Sequence, residues 1–83
     1  MDSIPTLTLY SRVECHLCDE MKEALHHVQQ KYPFALNIVD IDEDKHLQMR
    51  YGERIPVLAE GEQEICHYRL NEALLFQHLG ISS

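Results

Sequence analysis

Cys15-His16-Leu17-Cys18 sets two thiols three residues apart, near enough to close a small disulfide ring. The pair follows an apolar alternating stretch and opens a helically spaced one. At a helix start, free N–H groups and the positive end of the helix dipole favour a thiolate at the first cysteine. Thiol–disulfide exchange needs one such thiolate to attack and a second thiol to displace the mixed intermediate. A C-x-x-C pair is also half of a zinc site, and Cys66-His67 could complete one only by coming within bonding distance. Taken singly, Cys18 reads as a buried core cysteine and Cys66 as a half-buried strand residue.

The charges around the pair are mixed. Arg12 favours a thiolate at Cys15, and Glu14, Asp19 and Glu20 oppose it. His16 helps only when protonated and turned toward the sulfur. The acids imply a reductase-like or neutral poise.

The elements that must hold the pair follow from periodicity. Leu7 and Leu9 alternate with Thr6 and Thr8, which predicts a strand over Pro5–Tyr10. Cys18, Met21, Leu25 and Val28 form one helical stripe, so a helix runs from Cys15 to just before Tyr32-Pro33. Phe34–Ile41 reads as a second strand. The acids Asp40, Asp42, Glu43 and Asp44 read as caps on a short helix that ends at Gly52, because they lack the ligand spacing of a calcium loop. Ile55–Ala59 and Gln63–Tyr68 read as a hairpin around Glu60-Gly61-Glu62. Asn71 caps a last helix that Gly80 stops. His26 and His27 read as a helix face that meets water, and His46 and His78 show no metal spacing.

Eighty-three residues make one domain, 1–83, with a single modest core. A hydrophobic fraction of 45% argues against disorder. The net charge of −7 argues against nucleic acid or anionic lipid as a partner. Three cysteines are too few for a disulfide scaffold, and Met-Asp-Ser-Ile-Pro has neither the basic region nor the apolar core of a leader. A cytoplasmic location is the resulting expectation.

The order strand, helix, strand, helix, strand, strand, helix, with C-x-x-C opening the first helix and a proline opening the third strand, resembles the thioredoxin fold. More narrowly it resembles the glutaredoxin-like proteins. The matching stretches are Leu9-Tyr10-Ser11-Arg12-Val13-Glu14-Cys15-His16-Leu17-Cys18, Val39-Asp40-Ile41-Asp42-Glu43-Asp44 and Tyr51-Gly52-Glu53-Arg54-Ile55-Pro56-Val57-Leu58. The Cys-His-Leu-Cys form resembles a small branch of that family.

The resemblance implies an α/β thioredoxin-like fold, a four-stranded mixed sheet flanked by three helices. It implies a thiol–disulfide oxidoreductase with Cys15 as nucleophile and Cys18 as resolving thiol. Pro56 would be a cis-proline facing the disulfide, although the dipeptide alone favours trans. Ile55 would offer its backbone N–H and C=O to substrate, and Arg12 would meet a glutathione carboxylate. A protein or small-molecule disulfide would be the substrate of a monomer that needs no metal and no cofactor, with glutathione a possible ligand. The sequence departs from the glutaredoxin pattern between the cysteines. It departs again near Cys66-His67, where a Gly-Gly pair and a following acid would receive glutathione, so recognition of that tripeptide is expected to be weak. The absence of tryptophan departs from thioredoxin. The alternative reading is a non-catalytic thioredoxin-fold module that binds a protein and keeps its cysteines structural or metal-bound.

Overall fold

The computed structural model describes residues 4–80. The leader reading at Met1–Ser3 and both ends of the 1–83 domain fall outside them. The chain runs β1 (Thr6–Ser11), α1 (His16–Lys31), β2 (Ala35–Asp40), a 3-10 turn (Ile41–Glu43), α2 (Lys45–Tyr51), β3 (Val57–Glu60), β4 (Gln63–His67) and α3 (Glu72–Leu79). The strands form one sheet in the order β2-β1-β3-β4. β1 pairs parallel with β2 and antiparallel with β3, and β3 pairs antiparallel with β4. This is the mixed four-stranded sheet with three helices that the sequence order predicts.

Alternation along β1 splits the molecule into two packed faces. Leu7 and Leu9 are fully buried on one face, against Met21, Leu25 and Val28 of α1 and Leu75 of α3. Removing a leucine side chain of this kind from water contributes roughly 1.5–3 kcal/mol. Tyr32, just past α1, meets Phe76 of α3 edge to face at 5.4 Å, which ties the two helices together. Tyr10 points to the other face and stacks on Tyr51 of α2, with ring centroids 4.2 Å apart. Burial, then the neighbouring Tyr51, pushes the Tyr10 phenol above its ordinary pKa.

The acidic run serves as caps. An Asp40 carboxylate oxygen accepts the Asp42 N–H at 2.9 Å, and one of Asp44 accepts the N–H groups of His46 and Leu47. Asn71 caps α3 through the Leu74 N–H, and Gly80 ends it at φ 76°. Gly52 closes α2 so tightly that a Cβ there would lie 2.4 Å from the Gln48 carbonyl oxygen.

Several expected boundaries move. Cys15 caps α1 from extended backbone instead of starting the helix. The 3-10 turn precedes α2, because Asp40 and Asp44 cap two successive short turns. β3 begins at Val57 because Ile55 and Pro56 belong to the loop before it, and proline has no N–H to give a ladder. β4 stops at His67 because Tyr68 turns to φ 66°. Cys66 is only 7% exposed, not half-buried, since it shares a sheet row with Leu58 on the face that α1 and α3 cover. Met49 of α2 is apolar yet stands 88% exposed. Among the described residues no helix is long and apolar enough to cross a membrane.

Candidate active site

One end of the sheet gathers the residues singled out in the sequence. Tyr10 is in register with Val57, Ser11 with Asp40, and Val57 with His67. The loops that continue from those positions therefore leave the same edge. They are Arg12–Cys15, Ile41–Asp44, Glu53–Pro56 and Tyr68–Asn71.

Cys15 and Cys18 are joined as a disulfide, with Cα atoms 5.1 Å apart. The Cys18 N–H donates to Cys15 Sγ at 3.1 Å, so the sulfur takes the place of a capping oxygen at the start of α1. The first helical bond, from the Asp19 N–H to the Cys15 carbonyl, measures 3.1 Å. A developing negative charge on Cys15 Sγ would meet the Cys18 N–H and the positive end of a helix of 16 residues. Burial separates the two sulfurs' roles. Cys15 is half-buried at the mouth of the loop, whereas Cys18 is buried on the stripe with Met21, Leu25 and Val28.

Two hollows flank the pair. One, of about 210 Å³, is lined by Arg12, Val13, Cys18, Lys22, Ile38 and Asp40 on the β2 side. The other, of about 290 Å³, is lined by Leu17, Glu20, Met21, Tyr68, Arg69 and Leu70 on the β4 side.

Arg12 is already engaged, its Nε donating to an Asp42 carboxylate oxygen at 2.8 Å. Both side chains are more than a third exposed, so the pair is worth about 0–1 kcal/mol and is open to competition. Pro56 is buried and follows Ile55 through a cis peptide bond. Ile55 itself takes part in no backbone hydrogen bond among the described residues. His16 is exposed, 3.8 Å from Glu20 and turned away from any buried role. Glu20 also lies 4.0 Å from Arg69.

Cys66 is free, and burial pushes its thiol above the ordinary cysteine pKa. Among the described residues no three His, Cys, Asp or Glu side chains converge to hold a metal. His67 joins Glu64 at 2.7 Å, and His78 joins Glu60.

Periodicity carries the two cysteines and the loops that surround them. It carries neither the Arg12–Asp42 pair nor the turn at Tyr68. The first joins residues 30 apart in sequence, and the second needs a left-handed backbone that tyrosine does not advertise.

A family model described as glutaredoxin-like domain (DUF836) matches residues 6–80. The solution structure of a protein from Nitrosomonas europaea is 36% identical over 95% of both chains, with a TM-score of 0.86. The X-ray structure of a protein from X. campestris is 35% identical, covers 93% of this chain and 99% of its own, and has a TM-score of 0.72. A mutant thioredoxin from Halobacterium salinarum is 24% identical over 89% of this chain and 70% of its own. At a TM-score of 0.63 it shares the fold.

Proposed function

We propose that this chain, which belongs to the glutaredoxin-like domain family (DUF836), is a thiol–disulfide oxidoreductase working through Cys15 and Cys18. The observation that supports the reading most is the position of Cys15 Sγ. It caps α1, accepts a main-chain N–H, and is bonded to the one thiol placed to resolve a mixed disulfide. In the reduced protein the Cys15 thiolate attacks one sulfur of a substrate disulfide. The other substrate sulfur leaves as a thiolate and takes a proton from water. Cys18 then gives up its proton and attacks Cys15 Sγ, which releases the second substrate thiol and leaves the Cys15–Cys18 disulfide. Two electrons pass to the substrate, and an external dithiol restores the pair.

Substrate geometry follows from Ile55: next to buried Pro56, its N–H and C=O have no backbone partner among the described residues. A cysteine-containing peptide segment can pair with them as an added strand would. Arg12 lies beside the cysteine loop, available to a substrate carboxylate at the cost of its bond to Asp42. This reading has the protein act as a monomer on protein or small disulfides in a reducing compartment such as the cytoplasm. Catalysed reduction of a peptide disulfide by dithiothreitol tests it. A rate well above the uncatalysed one supports the proposal, and the background rate alone sinks it.

Glutathione should be held weakly. The loss of the Gly-Gly approach and its following acid near Cys66-His67, with Asp42 competing for Arg12, should together cost about 1–3 kcal/mol, up to roughly 150-fold in affinity. Turnover of a glutathione mixed disulfide measures this. A rate equal to that of a dithiol glutaredoxin would refute it.

A further inference from the structure

We propose that Tyr68 is a positioning residue that holds Ile55 ready for the backbone of a peptide substrate; this rests on the exchange reading above. Tyr68 leaves β4 at φ 66°, a region that side-chain-bearing residues rarely enter. The turn lets one residue make two ties. Its N–H donates to the Pro56 carbonyl at 2.9 Å, and its phenol O–H donates to the Glu53 carbonyl at 2.8 Å. Those bonds bracket Arg54 and Ile55.

Arg54 is fixed separately. Its guanidinium donates to a Glu64 carboxylate oxygen on β4 and, at 2.9 Å, to the Arg50 carbonyl. Glu64 also holds His67, whose ring meets the Tyr68 ring edge to face at 4.7 Å. Every residue of Glu53–Pro56 is thus anchored by a hydrogen bond to its neighbours except Ile55, whose N–H and C=O have no backbone partner among the described residues. Anchors on both sides hold that one unit in place, so a peptide meets it already positioned and loses less in ordering it. The hydrogen bonds of Tyr68 go to Glu53 and Pro56 and to neither sulfur. Its effect therefore falls on binding a peptide and not on the exchange itself.

Steady-state kinetics on the full chain, with dithiothreitol as reductant, test this with two disulfides. One is a short peptide disulfide, and the other is hydroxyethyl disulfide, which has no peptide backbone. Tyr68→Phe removes only the tie to Glu53. It should raise KM for the peptide roughly 3–10-fold, the effect of losing one hydrogen bond, with kcat unchanged. Its kinetics on hydroxyethyl disulfide should match wild type. Tyr68→Gly permits the left-handed backbone and the N–H bond to Pro56 but lacks the phenol, and should behave like Tyr68→Phe. Equal losses on both substrates would mean a general structural role, and no change on either would mean no role; both overturn the proposal. A wild-type protein that reduces neither disulfide would instead bring down the exchange reading on which it stands.

Discussion

Cys15→Ser is expected to reduce disulfide exchange to the uncatalysed rate, while Cys18→Ser keeps the first half of the reaction and remains covalently joined to its substrate. The asymmetry follows from burial and from the helix start. Cys15 stands half-buried at the loop mouth with an N–H aimed at its sulfur. Serine there offers an alcohol, which is barely ionised at neutral pH and forms no disulfide. Cys18 is 3% exposed, so an incoming disulfide meets Cys15 and not Cys18. Cys66→Ser should keep most of the activity, because Cys66 lies in the core row with Leu58 and its thiol is held protonated by burial. Mass spectrometry of the Cys18→Ser protein after exposure to a peptide disulfide detects the trapped adduct. Alkylation at neutral pH should label reduced Cys15 faster than Cys66. Equal rates, together with retained exchange in Cys15→Ser, would return the chain to the binding-module reading.

Leu58→Ala should produce the largest loss of stability. Leu58 is fully buried at the centre of the sheet, in register with Leu9 on one side and Cys66 on the other. Truncating it removes contacts to both neighbours and leaves a cavity that two paired strands cannot close. The expected cost is about 2–5 kcal/mol. A domain of this size holds only roughly 5–15 kcal/mol in total, so much of the folded margin would go. Met49→Ala is the control. At 88% exposed it should change stability by less than about 0.5 kcal/mol. Urea unfolding followed by far-UV circular dichroism reads both, and a Leu58→Ala midpoint equal to that of Met49→Ala would contradict the packing described above.

Much of this architecture is legible in the chain because single residues carry local physics. Leu7 and Leu9 alternate, Cys18 to Val28 keep a helical stripe, and Asn71 and Gly80 bracket a helix. In each case the residue that sets the element is the one observed to be buried or capping. The errors lie where an element ends for a reason that comes from elsewhere in the fold. Tyr68 reads as a strand residue, yet its backbone turns to φ 66° and its phenol ties to the Glu53 carbonyl. Cys66 reads as half-buried because alternation does not say how completely α1 and α3 cover the sheet. At the site, the cysteine pair is visible from spacing alone, and a role for Ile55 and Pro56, whose loop leaves the same sheet edge, needed a family resemblance. The Arg12–Asp42 pair and the Arg54–Glu64–His67 network were not legible, because each forms only when separate loops or strands meet.

Equilibration of the protein in glutathione redox buffers, followed by thiol trapping and peptide mass mapping, tests the central claim most directly. The account predicts one reversible two-electron transition in which only Cys15 and Cys18 change state, while Cys66 stays a thiol throughout. Thiols that never pair across the accessible range, or a dominant link from Cys66 to either Cys15 or Cys18, would contradict it.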